Sequence, residues 1–162
     1  MTGESRLRPI ALRVSVTDRC QLRCQYCTPP SGIERFPRSE ILSYEEIVRF
    51  IRVLKSRFGL SKVRLSGGEP LLRCDLVDLV RMIAHEGVSD LALTTNGQLL
   101  AEFASDLRDA GLARLNVSLD SLDARTYAEV TRGGSLQKTL RGIDAAIRAG
   151  LSPIKINAVV MR

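Results

Sequence analysis

Three cysteines lie within eight residues near the start of the chain, in the run Cys20-Gln-Leu-Arg-Cys24-Gln-Tyr-Cys27. Thiolates supplied by one short loop are the ligands that an iron–sulfur cluster needs around its compact inorganic core. Three ligands on a four-iron cluster leave one iron open, whereas structural zinc takes four protein ligands. No fourth ligand is evident, because His85 falls in a predicted helix and Cys74 lies far along the chain. The spacing therefore favours a [4Fe-4S] cluster over zinc or plain thiols, with Cys74 as a packed or surface thiol.

Further polar motifs follow the next three predicted strands. Gly67-Gly68-Glu69-Pro70 has two glycines that permit close backbone approach to a ligand, and a carboxylate that can offset a positive amino group. The runs 94–97 (Thr-Thr-Asn-Gly) and 118–120 (Ser-Leu-Asp) come after the following two strands. Asn96 and Asp120 fit either a ligand contact or turn geometry, and both interpretations stay open.

Helices and strands alternate around these motifs. Four segments with helical periodicity each end at a glycine that can adopt the left-handed conformation before an apolar strand. A Ser43–Glu46 capping box is expected to begin the first helix, and a short extra helix is expected near residues 123–130. The glycines are Gly59, Gly87, Gly111 and Gly150. The apolar positions are Ile47, Phe50, Ile51, Leu54 and Phe58; Leu76, Leu79, Val80 and Ile83; Leu100, Phe103, Ala104 and Leu107; and Leu136, Leu140, Ile143 and Ile147.

The alternation predicts right-handed βαβ units and a parallel sheet of the α/β class. Each unusual motif follows a different strand, which fits the rim of a barrel, whereas a Rossmann site gathers at one switch point. We therefore expect one domain over residues 1–162, folded as a partial (βα) barrel and truncated after about the fifth strand. That last strand would leave an unpaired edge unless later residues of the parent protein or another chain cover it. The predicted strands are 12–17, 62–66, 90–94, 114–118 and 154–160.

The motifs together resemble those of radical S-adenosylmethionine (radical SAM) enzymes, whose signature is CxxxCxxC with an aromatic residue, here Tyr26, before the last cysteine. The resemblance is strongest to the branch of that family that cyclises GTP in molybdenum cofactor biosynthesis. It implies reductive cleavage of S-adenosylmethionine to a 5′-deoxyadenosyl radical, which abstracts hydrogen from GTP and starts its cyclisation to a cyclic pyranopterin precursor. The stretches that carry it are 12–20, 64–72, 93–97, 114–122 and 155–159.

The same resemblance implies two sets of contacts. Those to S-adenosylmethionine come from Tyr26, Gly68 and Ser118, with Gly67 and Glu69 in the same glycine motif. Those to GTP come from Arg13, Arg64, Thr94 and Lys155. Three cations on strands that share a rim suit a triphosphate, although strand-borne Arg and Lys also serve as salt-bridge partners inside barrels.

The resemblance also implies a second [4Fe-4S] cluster, held by three further cysteines in the C-terminal part of the full-length enzymes. Residues 1–162 hold no such cysteines, so this chain alone would lack complete substrate binding and could be inactive. Two alternatives stay open: another radical SAM enzyme, such as a peptide-modifying one, and a non-catalytic iron–sulfur module.

The amino-acid composition limits the classes of partner that we expect this protein to bind. The net charge is +6 but aromatic residues make up only 4%, too few for base-stacking platforms, so no nucleic acid is expected. Residues 1–9 lack the apolar region of a secretory signal, and no run reaches the roughly 18 apolar residues of a membrane span. We expect a cytoplasmic protein with a small-molecule substrate and an external electron donor, and a homodimer stays open.

Overall fold

The structure is a computed structural model that describes residues 10–29 and 31–161, so the predicted lack of a signal in residues 1–9 lies outside it. Within those ranges it contains five strands and five α-helices. The strands are β1 (Ala11–Ser15), β2 (Lys62–Ser66), β3 (Asp90–Thr95), β4 (Arg114–Ser118) and β5 (Ile154–Asn157). The helices are α1 (Tyr44–Phe58), α2 (Leu76–His85), α3 (Leu100–Asp109), α4 (Ala124–Thr131) and α5 (Leu136–Arg148). Short 3-10 turns at Arg38–Glu40 and Pro70–Leu72 precede α1 and α2.

The strands pair in chain order, β1-β2-β3-β4-β5, and every pair is parallel. A doubly wound sheet would reverse its strand order at a switch point. Sequential order is instead that of a barrel wall. The predicted α/β class and partial barrel are therefore confirmed.

Local signals at the helix ends act as the sequence predicts. The Ser43 hydroxyl accepts a hydrogen bond from Glu46 N (3.2 Å), and the Glu46 carboxylate accepts one from Ser43 N (2.7 Å), which completes the capping box of α1. Gly59 ends that helix in the left-handed conformation, with φ of 67°. The equivalent glycines after α2, α3 and α5 also have positive φ. None of these helices, in the part of the chain described, is long and apolar enough to cross a bilayer.

The two faces of the sheet differ in chemistry because side chains alternate along each strand. One face carries buried apolar residues such as Val63, Leu65 and Leu115, which pack against the helices as the core. The opposite, inner face carries polar and charged side chains. Its residues are Arg13, Lys62, Arg64, Ser66, Asp90, Thr94, Arg114, Asn116, Ser118 and Lys155.

Strand register brings the inner-face residues into rows. Arg13 pairs with Arg64, and Ala92 stands between Arg64 and Arg114. One step nearer the C-terminal ends of the strands, Asn116 pairs with both Thr94 and Lys155. The four residues predicted to contact GTP therefore lie on one face, in two adjacent rows.

The predicted bounds of the outer strands were wrong by one to three residues. The last strand ends at Asn157 and not at residue 160, because Val159 N donates to the Asp120 carboxylate (2.9 Å) and not to a neighbouring strand. The first strand is Ala11–Ser15 and not 12–17, although Val16 N still donates to Ser66 O (2.9 Å). The other bounds, including those of α4, differ from the predictions by one residue or none.

Two predicted apolar helix faces were only partly right. In α1 the buried face centres on Ile47, Val48 and Ile51, which leaves Phe50 and Phe58 exposed. In α5 the predicted Leu136 is buried, but the rest of the buried face consists of Thr139, Gly142 and Ala146, and the predicted Ile147 is 61% exposed. Gly142 shows the reason, since a Cβ there would lie 2.6 Å from Gly97 O. Helices α3 and α5 pack too closely for the large residues that the apolar spacing selected.

Candidate functional site

The three clustered cysteines lie in the loop that follows β1, hereafter the cysteine loop (residues 20–27). Cys24 O accepts hydrogen bonds from the backbone N of Cys27 and of Thr28, each 2.9 Å long, so this part of the loop forms one tight turn. The thiols are close enough that a charge on Cys27 would raise the pKa of both Cys20 and Cys24. The structure thus brings the three predicted ligands together, while Cys74 is exposed and lies after the turn at Pro70–Leu72.

Burial dominates the electrostatics of two of these thiols. It raises the pKa of Cys20 and of Cys24, and the nearby carboxylates of Glu69 and Asp120 add to the rise at Cys20 and Cys24 respectively. Both thiols are therefore protonated at neutral pH in the absence of metal. Iron bound by these two thiols would have to displace those protons.

The three thiols of the cysteine loop fit an iron–sulfur cluster better than they fit a single metal ion. Among the described residues, no three His, Cys, Asp or Glu side chains converge closely enough to hold one metal ion. A structural zinc ion needs its thiolates about 2.3 Å away on a tetrahedron. In a four-iron cluster each thiolate binds a different iron, so the sulfurs stand farther apart. Three separated thiols on one loop would suit such a set, and their role as iron ligands stays a prediction.

The C-terminal end of α4 holds the cysteine loop in place. Arg23 N donates to Thr131 O (3.2 Å), and Gln25 N donates to Val130 O (2.9 Å). The Gln25 side chain donates to Glu129 O (2.9 Å). The last carbonyls of a helix lack partners within it, so these bonds satisfy α4 and orient the loop together. Sequence reasoning missed this support, because bonds to backbone carbonyls leave no residue pattern.

The two glycines after β2 pack against the residues that lead into the cysteine loop. Gly68 N donates to Thr17 O (2.8 Å), and Glu69 N donates to Arg19 O (2.7 Å). A Cβ on Gly67 would collide with the carbonyl oxygen of Thr17, and one on Gly68 would collide with that of Arg19. The sequence predicts close backbone approach to a ligand; the close approach seen is to the chain just before Cys20.

Glu69 is fully buried, and both of its carboxylate oxygens accept hydrogen bonds. Oε1 accepts from Thr95 Oγ1 (2.8 Å) and Leu71 N (3.2 Å), and Oε2 accepts from Asn96 N (2.8 Å). Burial raises the pKa of Glu69, while these hydrogen bonds work in the opposite direction. The carboxylate therefore links β2 to the end of β3. Its predicted contact with the amino group of S-adenosylmethionine stays a prediction.

Tyr26 and Asp120 connect the cysteine loop to the far side of the sheet. The Tyr26 hydroxyl donates to Asp120 Oδ2 (2.9 Å), and Asp120 Oδ1 accepts from Val159 N beyond β5 (2.9 Å). Burial and the bond to Asp120 raise the pKa of Tyr26, so the phenol keeps its proton. Ser118 ends β4 at the same rim, in register with Asn157. Sequence reasoning noted Asp120 as a polar strand-end residue but did not assign its role.

Two cations of the inner face are neutralised within the sheet. Arg114 and Lys62 both pair with Asp90; the Arg114 guanidinium binds it through two nitrogens, and Lys62 Nζ lies 4.0 Å away. The three cations predicted to contact GTP are not neutralised in this way by any described residue. Within the part of the chain that the structure describes, Arg13, Arg64 and Lys155 form no salt bridge. Arg64 Nε is also buried with no hydrogen-bond partner there, which leaves a donor for a bound group.

Several curated proteins resemble this chain over nearly its whole length. It is 51% identical over 153 residues to the GTP 3′,8-cyclase of Rhodopirellula baltica, a match covering 94% of this chain and 43% of that protein. It is 55% identical over 152 residues to the GTP 3′,8-cyclase of Geobacter sulfurreducens, covering 93% and 46%. The chain thus spans less than half the length of these relatives.

Solved structures share the fold at low sequence identity. SuiB of Streptococcus suis bound to S-adenosylmethionine superposes with a TM-score of 0.77 at 20% identity, covering 96% of this chain and 34% of SuiB. Methylornithine synthase (PylB) superposes with a TM-score of 0.71 at 21% identity, covering 90% and 43%. These similarities support the partial barrel. The family description that matches residues 14–162 is the Radical SAM superfamily, and the chain therefore belongs to that superfamily.

Proposed function

We propose that this chain carries the radical site of a GTP 3′,8-cyclase of molybdenum cofactor biosynthesis. The single observation that supports it most directly is the group of cations Arg13, Arg64 and Lys155, which form no salt bridge among the described residues. They lie on the inner face of the barrel that bears the cysteine loop at its rim. A nucleoside triphosphate is a ligand whose charge such a face can offset. The identity of 51–55% to relatives named GTP 3′,8-cyclase supports the same assignment.

Cys20, Cys24 and Cys27 would hold a [4Fe-4S] cluster, with one iron open. When bound and reduced, this cluster supplies the electron that cleaves S-adenosylmethionine to methionine and a 5′-deoxyadenosyl radical, which then takes a hydrogen atom from GTP. The protein's part is to hold the reactants in position and exclude water. Backbone bonds from Gly68 and Glu69 to residues 17 and 19 fix where the cysteine loop starts, and α4 fixes its middle.

S-adenosylmethionine would lie at the rim among Tyr26, the Gly67-Gly68-Glu69 turn and Ser118. These residues come from the ends of β1, β2 and β4, so a ligand contacting all three would bridge the rim. In this arrangement the exposed backbone of Gly67 and Gly68 faces the ligand, while the Glu69 carboxylate keeps the turn in shape.

GTP would occupy the inner face with its phosphates near Arg13, Arg64 and Lys155, and Thr94 would contact it from the middle strand. The reaction needs an electron from a separate donor, and the proposed setting is the cytoplasm, where thiols stay reduced. Residues 1–162 are proposed to form one domain. In a protein of the relatives' length, the second [4Fe-4S] cluster would lie outside these residues.

The GTP assignment is tested by equilibrium binding of labelled GTP to the anaerobically reconstituted chain and its variants. Loss of a charge-assisted hydrogen bond costs about 1.5–3 kcal/mol, so Arg64→Ala and Lys155→Ala are each expected to weaken binding roughly tenfold or more. Lys138→Ala is the matched control, because Lys138 is an exposed cation on α5 away from the inner face. GTP binding that is equal in all four proteins contradicts the assignment.

A further inference from the structure

The sulfur of Cys20 has two N–H groups within hydrogen-bond reach that the proposed function does not use. Leu22 N lies 3.4 Å from Cys20 Sγ, and the side-chain nitrogen of Asn96 lies 3.7 Å from it. We infer that Asn96 is a positioning residue that acts through Cys20 to raise the reduction potential of the cluster. This inference rests on the proposed function, because it requires that Cys20 binds a [4Fe-4S] cluster.

The orientation of the Asn96 amide follows from its neighbours. Gln98 N donates to Asn96 Oδ1 (3.0 Å), and a backbone N–H can only donate, so the amide oxygen must face Gln98. The Gln21 side chain also donates to that oxygen (3.4 Å). The nitrogen Nδ2 therefore points the other way, toward Cys20 Sγ and Gln21 Oε1 (3.3 Å).

The backbone at Asn96 is held as firmly as its side chain. Asn96 N donates to the buried Glu69 carboxylate (2.8 Å), and Thr139 Oγ1 donates to Asn96 O (3.0 Å). Glu69 is itself tied to the cysteine loop, since its backbone N donates to Arg19 O. One connected set of bonds thus places both the amide and the residue just before Cys20.

An N–H donor near the Cys20 sulfur affects the reduction potential because it interacts with the charge on the thiolate. Cys20 must lose its proton to bind iron, after which its weak contact as a donor to Gln21 Oε1 (3.9 Å) disappears. The N–H donors remain and partly offset the negative charge on the thiolate. That charge is larger when the cluster is reduced, so each donor favours the reduced state, and hydrogen bonds to sulfur are a known means of raising cluster potentials.

A side-chain N–H donor near the sulfur distinguishes Cys20 from the other two cysteines of the loop. Among the described residues, no side-chain N–H donates to the sulfur of Cys24 or Cys27. The Tyr26 hydroxyl lies near Cys24 Sγ, but its hydrogen is directed to Asp120 at 2.9 Å. Asn96 is therefore the residue whose replacement should change the cluster environment with least disturbance of the loop.

The test compares the reconstituted chain with Asn96→Asp, Asn96→Ala and Gln137→Ala. Asn96→Asp keeps the oxygen that accepts from Gln98 N while replacing the N–H donor with a carboxylate oxygen. Gln137→Ala is the matched control, because it removes an exposed side-chain amide on α5 that donates to no sulfur among the described residues. Iron and sulfide content are measured first, and the midpoint potential is then measured by redox titration followed by electron paramagnetic resonance.

We expect Asn96→Ala to reduce the ratio of reduced to oxidised cluster about tenfold at a fixed potential, a fall of about 59 mV for a one-electron couple. Asn96→Asp should lower the potential further, and Gln137→Ala should leave it unchanged. Wild-type potentials in both Asn96 variants, at full iron and sulfide content, would overturn the inference. Asn96 variants that load no iron while Gln137→Ala loads normally would overturn it too, because Asn96 would then be a structural residue. A wild-type chain that forms no four-iron cluster would instead refute the proposed function.

Discussion

The hydroxyl of Tyr26 donates a 2.9 Å hydrogen bond to Asp120, and Asp120 in turn accepts one from Val159 N. Tyr26 lies between two of the candidate cluster ligands, while Asp120 follows β4 and Val159 follows β5. This chain of bonds links the cysteine loop to the opposite end of the sheet.

Replacing Asp120 with Ala is expected to loosen the cysteine loop, because Tyr26 OH and Val159 N both lose their acceptor. Hydrogen bonds to a charged group contribute about 1.5–3 kcal/mol when buried, but this site is partly exposed, so we expect a loss of about 1 kcal/mol in the free energy of unfolding. Amide hydrogen exchange in residues 20–28 should become faster. Asp144→Ala on α5 is the control, and equal exchange in the two variants would contradict the linking role of Asp120.

Close packing at Gly68 predicts that a larger residue there destabilises the folded chain. A Cβ there would collide with Arg19 O, so Gly68→Ala must push the cysteine loop away from β2 and should cost about 1–3 kcal/mol of unfolding free energy. Gly59→Ala is the matched control, because a Cβ at Gly59 meets no atom within 4 Å and only its left-handed backbone is strained. Urea unfolding and iron loading are measured for both. A Gly68→Ala variant that loads iron normally and is no less stable than Gly59→Ala would contradict the proposed crowding at Gly68.

The buried carboxyl of Glu69 predicts how stability depends on pH. Its pKa is raised in the folded chain above the ordinary value of 4.5, so the folded state keeps this proton to higher pH than the unfolded state does. Its contribution to stability is therefore fully present below the ordinary pKa and is lost as the pH rises through the folded pKa. Glu69→Gln has no such proton to lose. Urea unfolding of both proteins across pH should show the wild type losing stability relative to Glu69→Gln as the pH rises above 4.5; a difference that is constant or moves the other way contradicts this.

Local patterns predicted much of this molecule. The capping box at Ser43, the glycine at the end of α1 and the alternation of helices with strands each depend on a few neighbouring residues, and all were confirmed. The spacing of the cysteines similarly predicted a loop that brings three thiols together. Such features can be read from a sequence because the interactions that produce them are short-range.

Contacts between distant segments could not be predicted in the same way. The carbonyls of Glu129 and Val130 hold the cysteine loop, yet any residue type supplies a carbonyl. The inward orientation of Glu69 depends on Thr95 and Asn96, which are distant in the chain. The close packing at Gly142 likewise depends on Gly97, and apolar spacing alone selected larger residues for that face.

The central claim is that Cys20, Cys24 and Cys27 hold a four-iron cluster with an open iron. The most direct measurement is anaerobic reconstitution with iron and sulfide, followed by electron paramagnetic resonance of the reduced protein with and without S-adenosylmethionine. The account predicts a four-iron signal that changes when S-adenosylmethionine is added, that is lost in Cys20→Ala and that persists in Cys74→Ala. A chain that binds stoichiometric zinc and no iron would contradict it.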